Sequence, residues 1–196
     1  MTAILTWICA FGLVATSVGL LISRDWRWSL GLLAAQYLAA FGLILVYWPL
    51  TMSAAKLVTG WMAAAVLGMT HSGLSTNLSD EGSWPEGRLF RLLSAGLLVV
   101  TISASGPGLA DWLPDASLPV VWGALVLVAI GLLQLGMTLH PFRVILGLLT
   151  TLLGFEIIAA TLENSILVAG LLAVITLGLG LAGAYLLAAN AAEEPA

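Results

Sequence analysis

The sequence predicts an all-helical, polytopic transmembrane bundle of about seven spans, folded as one transmembrane domain, and three observations predict it. Of 196 residues, 61% are hydrophobic and only 8% charged, whereas a soluble domain carries about a quarter of its residues as Asp, Glu, Lys and Arg. The apolar residues fall in continuous runs, without the alternation of a membrane barrel's strands. At about 20 residues per crossing, those runs use nearly the whole chain and leave no room for a soluble domain. The single cysteine, Cys9, lies in an apolar run, so neither a disulfide framework nor a cysteine metal site is available. A net charge of -4 with no basic cluster excludes nucleic acid as a partner.

The first span, 3–22, has no cation before it and an arginine-bearing turn, Ser23-Arg24-Asp25-Trp26-Arg27-Trp28, directly after it, which is the pattern of a span and not of a secretory leader. The second, 29–48, stops at Pro49, and the third, 52–72, runs into a polar stretch from Gly73 to Arg88. The fourth, 89–105, is the shortest and ends at Gly106-Pro107-Gly108. The fifth, 119–139, follows Asp111-Trp112-Leu113-Pro114-Asp115, and the sixth, 144–162, follows His140-Pro141-Phe142-Arg143. The seventh, 165–189, follows Glu163-Asn164 and leaves a tail at 190–196. Trp26, Trp28, Trp48, Trp84, Trp112 and Trp122 fall at or near the breaks, as an interfacial aromatic belt requires.

Arg24 and Arg27 lie in the first connection, Arg88 and Arg91 at the third and Arg143 in the fifth, while Lys56 is alone on the opposite side. The positive-inside rule then puts the odd connections and the tail in the cytoplasm and the N-terminus outside, in a cell (inner) membrane. Polar loop residues Asp80, Glu81 and Glu86 read as solvated.

Polar groups inside the spans carry the functional signal. Glu156 stands about 20 Å along the sixth helix, well inside a hydrocarbon core of about 30 Å. A carboxyl there must be paired, hydrated or protonated, which makes it a candidate to hold and release a proton. Lys56 lies at the start of the third span, where a long side chain can snorkel to the interface or turn inward to meet Glu156. Gln36, Gln134 and Thr150 sit at similar depths of about 10 Å on the second, fifth and sixth helices, a layer that would order water or join helices by hydrogen bonds. Small residues mark faces for close helix approach: Gly60, Ala64 and Gly68 on the third span, Gly31, Ala35 and Ala39 on the second, and Gly178 with Ala182 or Gly180 with Ala184 on the seventh. His71 and His140 end helices on one side, without the carboxylate-histidine motif of a bundle metal site. No phosphate loop, nucleophile constellation, metal set or cofactor motif is present, so the chain is not catalytic by itself.

The stretch Gly31-Leu32-Leu33-Ala34-Ala35-Gln36-Tyr37-Leu38 resembles the early part of hydrogenase-4 component E. The stretch from Arg143 to Leu162, with Leu152-Leu153-Gly154-Phe155-Glu156-Ile157-Ile158, resembles the carboxylate-bearing helix of the small K subunit of NADH-quinone oxidoreductase, and also the C subunit of multisubunit sodium/proton antiporters. The resemblance covers the first and last thirds of the chain. It implies a subunit of a complex I-like or membrane-bound hydrogenase-like assembly, in contact with lipid, with antiporter-like membrane subunits and with a peripheral redox arm, contributing to proton or sodium translocation. Glu156 takes the place of the K subunit's membrane glutamate, whose family role is proton transfer. The sequence departs from that pattern on the next helix, where Ser165, Thr176 and Tyr185 are the polar side chains and no second glutamate follows. A purely structural scaffold and a free-standing small transporter are the competing expectations.

Overall fold

The computed structural model describes residues 2–23, 25–73, 87–113 and 116–193. Arg24, Trp84, the acidic loop at 80–86 and the last residues of the tail lie outside the described residues. Among the described residues the chain forms seven α-helices: α1 (Thr2–Ile22), α2 (Trp26–Ile44), α3 (Leu50–Gly73), α4 (Arg88–Ala110), α5 (Leu118–Met137), α6 (Pro141–Leu162) and α7 (Ile166–Glu193). All seven are long and apolar enough to cross a bilayer, and the architecture is an all-helical multi-pass membrane bundle.

The ends of the helices differ from the sequence expectation for reasons of backbone chemistry. α2 stops four residues short of Trp48 because Pro49 disfavours helical geometry in the residue before it. The chain leaves α2 through a turn in which the amides of Tyr47 and Trp48 both reach the Ile44 carbonyl at 2.9 Å. α2 also starts earlier than expected: extended Asp25 offers its carbonyl to the amide and the hydroxyl of Ser29, each at 3.0 Å. Proline opens α6 at Pro141, where its fixed φ suits the first turn and its missing N–H costs nothing. α4 continues through Gly106-Pro107-Gly108 to Ala110, where a stop was expected, and its 23 residues span about 34 Å, enough to cross. The Trp122 indole N–H of α5 holds this stretch by donating to the Ser103 hydroxyl at 3.0 Å.

α5 and α6 pack most extensively and form the buried centre. α1 and α2 pair with each other and close on α5 and α6, α3 lies between α2 and α7, and α4 sits at the edge against α5 and α1. Leu33, Leu43, Leu127, Leu146, Leu149 and Leu153 fill the core. The outside is apolar as well: Phe11, Leu97, Leu171, Val174 and Tyr185 are exposed, which suits lipid and not water.

The closest backbone-to-backbone helix contact is made by glycines outside the expected stripes. A Cβ on Gly154 would stand 2.7 Å from the Ala124 carbonyl oxygen, and one on Gly131 would stand 2.8 Å from the Thr151 amide nitrogen and 2.9 Å from the Gly147 carbonyl. The α5 and α6 backbones therefore touch, as small residues permit in membrane helices. Of the expected stripes, Gly68 meets Leu30 of α2 and Gly180 meets Ala63 of α3, with ideal Cβ positions 3.0 Å from each neighbour. Gly31 and Gly178 meet nothing within 4 Å, so those two positions are not packing contacts.

The bundle has two chemically distinct ends. At one, Arg143 donates to the Ser23 carbonyl at 2.7 Å and Arg91 to the Leu21 carbonyl at 3.3 Å, where the C-terminus of α1 carries its negative dipole end. His71 stacks on Trp26 with centroids 4.9 Å apart and meets the edge of Phe142 at the same end. At the other end Trp48 donates to the Glu163 carbonyl at 2.9 Å. The expected tryptophan belt is thus divided: Trp28 and Trp112 are exposed, whereas Trp48 and Trp122 are buried and tie helices together.

Candidate functional site

The two ionisable side chains that the sequence places inside the membrane come together. Lys56 follows the start of α3 by six residues, and Glu156 precedes the end of α6 by six, so both lie about 9 Å from the Trp48 end. Lys56 is 3% exposed and Glu156 1%, and the Lys56 ammonium is ion-paired to Glu156 Oε1. The lysine therefore turns inward instead of snorkelling to the interface. α3 and α6 do not pack side by side along their lengths, and the long lysine bridges the space between them.

Thr176 of α7 completes the centre. Its hydroxyl accepts from Lys56 Nζ at 3.0 Å and lies 2.9 Å from both Glu156 Oε1 and the Leu172 carbonyl. A hydroxyl has one proton to give, so it donates either to the carboxylate or to its own helix. Sequence reading noted Thr176 only as one of the polar side chains on its span. A threonine in a membrane helix ordinarily bonds back to the preceding turn, so its role here is visible only from the packing of α7 against α3 and α6.

Tyr37 of α2 was missed altogether, because an aromatic within an apolar run reads as core. Its ring lies across Gly60 of α3, where a Cβ would collide with it. That contact explains Gly60, while Ala64 and Leu67 continue the same buried face. The Tyr37 side chain lies near Glu156 and Thr176, and its hydroxyl meets no partner among the described residues at full hydrogen-bond geometry. Glu156 Oε2 and Gln36 Nε2 are likewise buried without a hydrogen-bond partner among the described residues. The Lys56, Oε1 and Thr176 groups of the centre are thus joined by hydrogen bonds, while Glu156 Oε2 has none among the described residues, which is unusual for a buried carboxylate oxygen.

The expected polar layer is only partly joined. Thr150 Oγ1 donates to Gln36 Oε1 at 3.3 Å across α6 and α2. Gln134 is separate and donates to the Arg143 carbonyl at 2.9 Å. It sits nearer the Arg143 end than expected because α5 ends at Met137, where Thr138 turns extended. Thr151, the residue after Thr150, bonds to the Gly147 carbonyl of its own helix at 2.9 Å.

A cleft of about 310 Å³ opens between α3 and α7 and is lined in part by Lys56. No group of three His, Cys, Asp or Glu side chains arranged to hold a metal ion occurs among the described residues. Compared with protein-family profiles, with curated proteins and with solved structures, the chain has no match.

Proposed function

We propose that the Lys56–Glu156 centre passes a proton within the bilayer, and that the chain does so as an integral membrane subunit of a complex I-like or membrane-bound hydrogenase-like assembly. The observation that carries the proton reading is a buried ion pair in which one carboxylate oxygen, Oε2, has no hydrogen-bond partner among the described residues. An ion pair kept only to hold helices gains most when every lone pair is satisfied. Transfer of a proton from the ammonium to the carboxylate leaves an amine and a carboxylic acid, two neutral groups that hydrocarbon tolerates better than two charges. A proton then taken up by the amine and one released from the acid restore the starting pair, so the centre never holds more than one net charge. Thr176 orients both partners, Tyr37 lies beside Glu156, and Gln36 and Thr150, bonded to each other, are polar groups further towards the Arg143 end.

Membership of a larger assembly rests on the resemblance of the stretch around Glu156 to the K subunit helix. The broad apolar faces of α4 and α7, which are little buried within this chain, are available to neighbouring membrane subunits as well as to lipid. Gentle purification from the native membrane, with mass spectrometry of what accompanies the chain, tests this part. Antiporter-like and iron–sulfur subunits are the expected companions; recovery of the chain alone favours a free-standing transporter.

Glu156→Gln keeps an acceptor for Lys56 and Thr176 but cannot take up the proton. In liposomes loaded with a pH-sensitive dye, the purified protein and its companions should lose proton movement on this substitution while retaining their composition. Unchanged proton movement sinks the site assignment. The competing scaffold reading draws on the fact that Lys56, Glu156 and Thr176 join three helices, and it predicts that the variant is silent.

A further inference from the structure

The pair is not equally enclosed on all sides. Further along the helices towards the Arg143 end, Gln36, Tyr37, Thr150 and Leu153 are all fully buried. Towards the Trp48 end, the cleft of about 310 Å³ runs between α3 and α7 and ends on Lys56. On α7 its wall extends from Ile166 to Ala173, a depth of about 10 Å. The liquid volume of a water molecule is about 30 Å³, so the cleft has room for several waters, with Thr51 and Lys56 as the polar groups to hold them. Its walls are apolar except for Thr51 near the mouth and Lys56 at the floor, which leaves an entering proton one group to settle on.

The cleft owes its width to small residues. Ala55 faces Ala169, Gly170 and Ala173 across it, and a Cβ on Gly170 would meet nothing within 4 Å. A Cβ at position 170 would thus stand in open space at the wall of the cleft. We infer that the proton reaches the Lys56–Glu156 centre from the Trp48 end only, along the α3–α7 cleft, and that Gly170 keeps this path open. The inference rests on the proton reading above and adds the side and the route of access. The proton passes from water in the cleft to the Lys56 amine, and from the ammonium to Glu156 Oε1, with no other atom transferred.

The test separates the route from the role of the pair. With Cys9, the chain's single cysteine, replaced by alanine, cysteines are placed at Gly170, Ala173 and Gly178 and treated in membrane vesicles of both orientations with a charged thiol reagent that does not cross bilayers. Gly178 serves as the control because it is exposed, meets nothing within 4 Å and lies on α7 outside the cleft. Modification at 170 and 173 from one side only, at least tenfold faster than at 178, is the expected result. Rates at 170 no faster than at 178 mean that lipid and not water fills the cleft, and the route is overturned whatever Glu156 does. Gly170→Leu should lower proton movement at least tenfold, with melting temperature and companions unchanged, while Gly178→Leu leaves it as in the parent. A Gly170→Leu protein that moves protons at the parent rate overturns the route even if the cleft is wet. A silent Glu156→Gln in the same assay is read separately, as failure of the proton reading itself.

Discussion

A lysine and a glutamate buried together in hydrocarbon stabilise the fold only as a pair. Removing one leaves the other charge without compensation, at about 3 kcal/mol or more, whereas replacing both by apolar groups of similar size is close to neutral. Lys56→Met and Glu156→Leu should therefore each lower the melting temperature in detergent, and the double variant should recover most of the loss. Strictly additive losses would show that the two side chains are not coupled. Thr176→Val keeps the shape and deletes the hydroxyl that both partners contact. It should cost about 1–2 kcal/mol in the same measurement, and no cost in a Lys56→Met/Glu156→Leu background. A cost that persists there would assign the hydroxyl to its bond with Leu172 alone. The pair's two members were legible because charges inside apolar runs stand out. Thr176 and Tyr37 were not, because threonine and tyrosine are ordinary in membrane helices and only their neighbours make them part of the centre.

Among the elements, the α5–α6 contact is the least forgiving. Backbone atoms, unlike flexible side chains, cannot move aside for a new methyl, so overpacking there costs about 1–3 kcal/mol. Gly154→Ala and Gly131→Ala should each lower thermal stability by that order, while Gly31→Ala and Gly178→Ala should leave it within about 0.5 kcal/mol. Equal effects at the four positions would contradict the close approach of these two helices. Sequence reading found stripes spaced by four on α2, α3 and α7 and passed over Gly131, Gly147 and Gly154, which form no such stripe on one helix. A close contact between two helices needs small residues only where they cross, and the crossing point is a property of the pair. α4 shows the converse. Its Gly-Pro-Gly reads as a break, yet the helix runs on because one missing amide is tolerated near a helix end and the Trp122–Ser103 hydrogen bond holds the strand of chain in place.

For the molecule as a whole, seven crossings place the two ends of the described chain on opposite sides of the membrane. Arg91 and Arg143 gather at the end where α1 finishes, and the positive-inside rule expects that end in the cytoplasm. A fluorescent protein fused after α7 should therefore fluoresce, and a periplasm-dependent phosphatase fused there should be inactive. The reverse pattern would turn the bundle over and place the mouth of the α3–α7 cleft on the cytoplasmic side.

What the sequence by itself determined is the class and the cast: hydropathy sets seven helices because lipid leaves backbone groups no other partner, and the rarity of charge in those helices singles out Lys56 and Glu156. The order of the helices and their approximate ends follow from the same local signals, with proline and extended cap residues moving them by a few positions. Only the tertiary structure decided that α3, α6 and α7 converge, that Lys56 turns inward to Glu156, that Gln134 stands apart from Gln36 and Thr150, and that a cleft reaches the lysine from one end. Hydropathy is nearly uniform around these helices, so their sequence carries little information about which face meets which neighbour; that is settled by side-chain shape, by small residues at crossings and by the need of each buried polar atom for a partner.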